Sequence, residues 1–276
     1  MSELPVEEAR QRLRAIELEE NVRILYACES GSRAWGFASP DSDYDVRFLY
    51  AHPRDWYLQI DEGRDVIERA PDGVWDVNGW DIRKALQLLC KSNPALSEWL
   101  RSPYVYCEAS LSVRMMQTEL NAAYYSRNAA MYHYYHMARG NAFKYVLGQR
   151  AGKLQVQRKK YLYVLRPLFA CRWIECFEAP PPPVHFPDLF RWAAVEGGAA
   201  ISDEFQDAVE TLLLEKQQAA ELGWSDADPV LGRYIEQELE RYDCGMAEMV
   251  RRVRAERPID TTPLNRVFRM ALSEAT

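Results

Sequence analysis

Hydrophobic and polar positions change their spacing near residue 108, and this change divides the chain in two. Before it, short apolar runs alternate with turn-forming residues, whereas after it apolar residues recur mainly at helical spacing. Residues 6–20 also have helical spacing and predict an amphipathic first helix. We therefore expect an α/β domain with a mixed sheet over residues 1–108 and an all-helical domain over residues 109–276.

Individual elements follow from the same pattern. Short β-prone runs bounded by Gly, Pro, Asn and Asp predict strands at residues 22–28, 44–50, 66–68, 74–80 and 104–106. Asp81 has the residue type and the position of an N-cap for a helix that begins at Ile82. Long helical patterns cover residues 109–125, 127–147, 154–178, 202–222, 229–256 and 263–272.

Charge argues against a surface that binds polyanions along its whole length. The chain has 276 residues and a net charge of −7, so nucleic acid would have to contact a local basic patch. The densest basic stretch contains Arg150, Lys153, Arg158, Lys159, Lys160, Arg166 and Arg172. Lys159, Tyr163 and Arg166 share one helix face. That face either binds a triphosphate or nucleic acid or is an ordinary solvated face.

Cysteine and histidine positions do not favour a metal or disulfide framework. The six cysteines contain no C-x-x-C pair, which is typical of free thiols in a reducing compartment. His133 and His136 are neighbours on a helix but lack a third ligand at suitable spacing, so aromatic packing is expected. No basic leader and no apolar run of about 20 residues is present. We expect a soluble, cytoplasmic protein that does not enter a membrane.

A glycine and a serine follow the first predicted strand. Gly31 permits close approach of the backbone to a ligand, and Ser32 is positioned to open a short helix through Trp35. A phosphate binds well at such a helix N-terminus, because backbone N–H groups point at it. Gly31-Ser32 therefore predicts a phosphate-binding turn.

Two aspartates flank Tyr44 near the start of the second predicted strand. Asp43 and Asp45 are two residues apart, so both carboxylates project from one face of the strand. Two like charges held close together favour a bound cation, and hard oxygen ligands suit Mg²⁺. A D-x-D pair alone is commonly only a polar turn, but the Gly31-Ser32 turn at the end of a strand favours a magnesium site for phosphoryl transfer, typically with two ions.

These motifs together resemble a known family. Gly31-Ser32, separated by residues 33–42 from Asp43-Tyr44-Asp45, resembles the signature of the DNA polymerase β superfamily of nucleotidyltransferases. The longer runs Gly-Ser-Arg-Ala-Trp-Gly-Phe and Ser-Asp-Tyr-Asp-Val-Arg are similar to the RlaP, or YcgL-like, group of bacterial and phage predicted nucleotidyltransferases. The resemblance covers roughly residues 22–175 and implies the mixed-sheet nucleotidyltransferase fold.

The resemblance also implies a third carboxylate that binds one metal ion and acts as general base. Asp76, on the predicted strand 74–80, is favoured over Asp81, which an N-cap role explains. Arg33 is close enough to Ser32 to contact a triphosphate. Arg47 shares the strand face of the two aspartates, and either orients them or neutralises them.

The sequence therefore predicts an enzyme. We expect transfer of a nucleoside monophosphate from an NTP such as ATP to a hydroxyl acceptor, with release of pyrophosphate. Asp43, Asp45 and Asp76 are the predicted catalytic and metal-binding residues, and Gly31, Ser32, Arg33, Lys159, Tyr163 and Arg166 the predicted nucleotide-binding residues. The acceptor stays open between an RNA end, a small molecule and a protein hydroxyl. The alternatives are an antitoxin-type regulator that transfers AMP to protein, and a nucleotide-binding module without catalysis.

Overall fold

Strands and helices alternate in the first part of the chain, and helices dominate the rest. The computed structural model describes residues 4–147, 155–178, 181–196, 201–218, 224–254 and 260–275. The strands are β1 Arg23–Glu29, β2 Tyr44–Ala51, β3 Val66–Glu68, β4 Trp75–Asp81, β5 Val105–Cys107, β6 Gln155–Gln157 and β7 Trp224–Asp226. The helices are α1 Val6–Glu20, α2 Gly31–Ala34, α3 Ile82–Cys90, α4 Pro94–Leu100, α5 Leu111–Met115, α6 Asn121–Ala123, α7 Arg127–Ala142, α8 Lys159–Cys176, α9 Phe186–Val195, α10 Asp203–Gln218, α11 Pro229–Arg254 and α12 Thr262–Glu274.

Two compact units, each built from separate segments, make up the chain. Unit 1 comprises residues 1–34, 43–125 and 258–276, and unit 2 comprises residues 35–42 and 126–257. This division differs from the boundary predicted at residue 108. The reason is burial, since apolar residues of α5 and α12 share one core with β1, β2 and α3, among them Val113, Leu264 and Val267.

Unit 1 contains the sheet. Its five strands are ordered β3-β4-β2-β1-β5. β2 and β4 run parallel, whereas β1 is antiparallel to both β2 and β5, and β3 is antiparallel to β4. This is the mixed sheet of an α/β domain that the sequence predicts.

Alternation along β2 assigns its side chains to two cores. Val46, Phe48 and Tyr50 pack in the core that includes Leu13 and Ile16 of α1. Leu49 and Ala51 pack in the other core, with residues of α3, α4, α5 and α12. Helices thus cover both faces of the sheet, and the polar residues at the start of β2 lie where this strand enters from a turn.

Unit 2 is mainly helical, as predicted. α8 packs against α7 and α9, and α11 packs against α7 and α10. The helix predicted from residue 154 begins at Lys159 instead, because Gln155–Gln157 pairs antiparallel with Trp224–Asp226. Within the described part of the chain, no helix is both long enough and apolar enough to cross a membrane.

The segment 35–42, which lies between the two sequence motifs, is part of unit 2. The Trp35 ring lies 5.7 Å from the Tyr163 ring, and the Phe186 N–H donates to the Trp35 carbonyl at 2.8 Å. Gly36 has a φ of +83°, and a Cβ there would come within 2.2 Å of the His185 ring. The buried Lys216 ammonium donates to the hydroxyl of Ser39.

Candidate active site

Asp45 and Asp76 lie side by side on neighbouring strands. The parallel register of β2 and β4 pairs Asp45 directly with Asp76. Adjacent strands are about 4.8 Å apart, so the two carboxylates are neighbours where β2 and β4 begin. The Asp76 side chain is the more accessible, with 44% of its surface exposed against 23% for Asp45.

Arg47 bridges these two carboxylates. Its Nη2 lies 2.8 Å from Asp45 Oδ1 and 2.8 Å from Asp76 Oδ2. Its Nη1 donates to the main-chain carbonyls of Asp76 at 2.8 Å and of Val46 at 3.1 Å. Arg47 therefore both neutralises and orients Asp45 and Asp76, whereas the sequence had assigned it one of these roles toward Asp43 and Asp45.

The environment of Asp45 disfavours its charged form. Burial, against the opposing charge of Arg47 and together with the negative charges of Asp76 and Asp43, raises the pKa of Asp45 to about 6. A carboxylate with such a raised pKa gains stabilisation from any additional cation that comes close.

The Gly31 turn packs directly onto Asp45. Gly31 has a φ of +58°, and a Cβ at this position would lie 1.9 Å from Asp45 Oδ2. The Ser30 N–H donates to the Asp45 carbonyl at 2.9 Å, and Ser32 is buried inside the short helix α2. Only glycine fits at position 31 without displacing the carboxylate, which explains this residue at this point of the chain.

Arg33 fastens the same turn to Asp43. Its Nε donates to the Asp43 carbonyl at 3.1 Å, and its guanidinium lies 4.0 Å from the centre of the Tyr44 ring. The other stacking partner of Tyr44 is Trp75, with ring centres 4.9 Å apart. Arg33 thus links the Gly31 turn to the aspartate motif at the start of β2, where the Asp43 side chain is exposed.

The chemistry of the donors fits magnesium, although the carboxylates are not arranged as a ready-made cage. Asp43, Asp45 and Asp76 offer the anionic oxygens that Mg²⁺ prefers. Asp45 and Asp76 already share a cationic partner, the Arg47 guanidinium. Among the described residues, no three His, Cys, Asp or Glu side chains converge to hold a metal.

Asp81, the other candidate for the third carboxylate, lies at the far end of β4. Its Oδ1 accepts the Arg83 N–H at 2.8 Å as the N-cap of α3, and its Oδ2 accepts the Tyr57 hydroxyl at 2.6 Å. Asp81 pairs in register with Tyr50, whereas Asp76 pairs with Asp45. Both oxygens of Asp81 therefore have structural partners away from the motif aspartates.

Two further residues of this site have no role in the sequence analysis. Glu29 is completely buried, and its Oε1 accepts the Asp45 N–H at 2.9 Å. The hydroxyl of the buried Tyr106 donates to Glu29 Oε2. A charged residue directly after the apolar run 24–28 was the available signal for Glu29, whereas Tyr106 lies on a short strand without a motif.

The other predicted nucleotide-binding residues belong to unit 2. Arg166 is buried, with its guanidinium 4.4 Å from the centre of the Trp35 ring. Tyr163 contacts Trp35 and Phe37 through ring edges, and Lys159 begins α8. These contacts give Tyr163 and Arg166 a packing role, and nucleotide binding by the three residues stays a prediction.

Other sequence expectations concern the same unit. His133 and His136 pack with Tyr132, with the His136 ring 4.2 Å from it, which agrees with the expected aromatic packing. Arg150 and Lys153 of the basic stretch lie outside the described residues. All six cysteines are free thiols.

The chain was compared with protein families, with curated proteins and with solved structures. Residues 6–270 match the family model of RlaP, described as the RNA repair pathway DNA polymerase beta family. The uncharacterized protein YcgL of Bacillus subtilis (strain 168) is 41% identical over 262 residues, covering 95% of this chain and 94% of YcgL. A solved nucleotidyltransferase-like protein from Exiguobacterium sibiricum 255-15 aligns with 12% identity and a TM-score of 0.37, over 90% of this chain and 80% of that one. So low a TM-score supports no conclusion about function.

Proposed function

This chain belongs to the RNA repair pathway DNA polymerase beta family, and from that premise we propose that it is a metal-dependent nucleotidyltransferase. Membership points to a polymerase β-type nucleotidyltransferase. The proposal adds the reaction, in which an NTP transfers its nucleoside monophosphate to a hydroxyl. The observation that carries it is the pairing of Asp45 with Asp76 beside the Gly31 turn.

Residues of the Gly31 turn and the three aspartates have different proposed roles. The backbone of Gly31 and the hydroxyl and N–H of Ser32 would contact the β- and γ-phosphates, with Arg33 beside them. Asp43, Asp45 and Asp76 would hold Mg²⁺, two ions in this proposal. When bound, Mg²⁺ supplies neutralisation of charge on the phosphate oxygens.

The acceptor is activated by a carboxylate. Asp76, the more exposed partner of the pair, would take the proton from the acceptor hydroxyl as general base. The acceptor oxygen then forms a bond to the α-phosphorus, the bond from that phosphorus to the bridging oxygen breaks, and pyrophosphate leaves. Arg47 would keep both carboxylates aimed at the site through its two contacts.

An RNA end is the first acceptor to test, because the family description names RNA repair. A small molecule or a protein hydroxyl follows, and the last of these corresponds to an AMP-transferring regulator. The net charge of −7 favours an acceptor bound through a local patch rather than along the whole surface.

The test is incubation with each NTP labelled at the α-phosphate, Mg²⁺, candidate RNA and cell extract, with pyrophosphate measured in parallel. The variant combining Asp43→Ala and Asp45→Ala is expected to lose NTP turnover and keep its fold. Its control combines Asp55→Ala and Asp61→Ala, which removes two exposed carboxylates elsewhere.

Turnover that persists in the double variant of the motif refutes the assignment. A module without catalysis predicts a different result, namely NTP binding in calorimetry without release of pyrophosphate by the wild-type protein.

A further inference from the structure

Glu29 is a charged residue at a completely buried position, where apolar residues are usual. It is the last residue of β1, directly before Ser30 and the Gly31 turn, and none of its surface is exposed. Within the described residues it forms no ion pair, and its two oxygens accept from Asp45 N–H and Tyr106 O–H. Burial raises the pKa of Glu29 to about 7, so the carboxylate is costly where it lies.

The reason for a carboxylate here is found in the backbone of β2. At the end of β1, the Ser30 N–H donates to the Asp45 carbonyl, as an antiparallel ladder requires. The Ser30 carbonyl instead accepts the Ala34 N–H, because the chain turns into α2 at this point. The Asp45 N–H would therefore lack a ladder partner, and a buried backbone donor without a partner is expensive. Glu29 Oε1 takes the place of the missing carbonyl.

Glu29 connects the polar contacts of this site into a continuous chain of hydrogen bonds and ion pairs across four strands. These contacts run from Tyr106 on β5 to Glu29 on β1, then to Asp45 and Arg47 on β2, and finally to Asp76 on β4. Each link is a hydrogen bond or an ion pair between side chains, or between a side chain and the Asp45 N–H. Asp45 is thereby held at its backbone by Glu29 and at its carboxylate by Arg47.

We propose that Glu29 is a positioning residue for the carboxylate of Asp45, and that Tyr106 holds Glu29 in place. This inference rests on the proposed function of the same site. Glu29 touches no nucleotide or metal in it, and acts only through the backbone of Asp45. A displacement of about 1 Å at a reacting group can cost about 100-fold in rate, so the position of this one N–H group matters to the chemistry.

Two substitutions separate positioning from charge. Glu29→Gln keeps an oxygen at Oε1 for the Asp45 N–H, whereas Glu29→Met removes the acceptor and keeps the volume. We expect Glu29→Met to lower kcat about 30- to 100-fold, with KM for the NTP changed less than about threefold. Glu29→Gln is expected to stay within about threefold of wild type in both constants.

A matched control lies near the other end of β1. Glu17 Oε1 accepts the Ile24 N–H at 2.8 Å, so Glu17→Met also removes a glutamate acceptor from a backbone N–H of the same strand. This control is expected to lose stability, seen as a lower urea midpoint of unfolding, without losing turnover. Equal losses of turnover in Glu17→Met and Glu29→Met overturn the proposal, since any loosening of β1 would then suffice.

A readout that does not need turnover keeps the two proposals distinguishable. Binding of Mn²⁺ to the folded wild-type protein and the variants is measured by electron paramagnetic resonance. Glu29→Met is expected to bind Mn²⁺ at least about fivefold more weakly than wild type, and Glu29→Gln equally well. If wild type turns over no NTP, the proposed function fails while this comparison still tests Glu29. Unchanged Mn²⁺ affinity in Glu29→Met, or equal damage in Glu29→Gln, overturns the positioning role.

Discussion

Alanine at position 31 is expected to damage the site far more than it damages the fold. Gly31 has a φ of +58°, and a Cβ there would lie 1.9 Å from Asp45 Oδ2. Gly73 has nearly the same φ, +61°, yet a Cβ there meets no heavy atom within 4 Å. Gly31→Ala and Gly73→Ala therefore share backbone strain and differ in their contact with a proposed catalytic carboxylate.

The size of each effect follows from this geometry. An L-residue in the left-handed region costs about 1–2 kcal/mol, and both variants carry that cost. In Gly31→Ala, Asp45 Oδ2 must also retreat by about 1 Å, because Cβ atoms essentially never approach other atoms within 3.0 Å. Arg47 holds the other oxygen of the same carboxylate at 2.8 Å, so the retreat disturbs that contact as well. Such a displacement costs about 100-fold in rate, or about 2.7 kcal/mol of activation free energy.

The assay combines urea unfolding with release of pyrophosphate at varied NTP and fixed Mg²⁺. We expect both variants to lose unfolding free energy, and Gly31→Ala to lose more, because only this variant displaces Asp45 and its Arg47 contact. We expect kcat/KM to fall about 100-fold in Gly31→Ala and less than about threefold in Gly73→Ala. Turnover in Gly31→Ala within threefold of Gly73→Ala would refute the reasoning, because close approach of this turn to Asp45 would then be dispensable.

Three further predictions test other parts of the molecule. Asp81→Ala removes the N-cap of α3 and should lower the free energy of unfolding in urea by about 1 kcal/mol while turnover is kept. Asp76→Asn should keep stability and lower turnover at least about 100-fold. The reverse pattern would make Asp81 the third carboxylate. Burial lowers the pKa of His52 below its ordinary 6.5, so the stability that neutral His52 contributes is complete above pH 6.5 and declines as pH falls. His52→Phe should remove this part of the decline in unfolding free energy between pH 7.5 and 5. The same pH dependence in the variant and the wild type would contradict the prediction. Arg166→Met should lower the unfolding free energy by about 1–2 kcal/mol, because it removes the stack on Trp35; an increase in KM for the NTP at unchanged stability would instead favour the predicted nucleotide contact.

Local features of the fold could be predicted from the sequence. The first helix lies at Val6–Glu20, as its apolar spacing predicts, and Asp81 caps the helix that begins at Ile82. Alternation along residues 44–50 correctly assigns Asp45 and Arg47 to one face, where they form an ion pair. These features depend only on residues within one turn of a helix or a few positions of a strand. Such short-range geometry is determined by the types of neighbouring residues and their spacing.

The associations between distant segments were decided only by the tertiary structure. The sequence favoured Asp76 because a predicted strand would carry it toward the aspartate pair, but its place beside Asp45 is fixed by the parallel register of β2 and β4. Nothing local predicts that α12 returns to the core of the sheet, or that residues 35–42 pack with the helical unit. The same holds for Glu29, whose role follows from a missing ladder partner on another strand. The Gly31 turn and the aspartate pair could be found in the sequence because they are contiguous motifs. The position of Asp76 beside Asp45, the Arg47 bridge and the buried support from Glu29 depend on strand pairing, which is a property of the whole core.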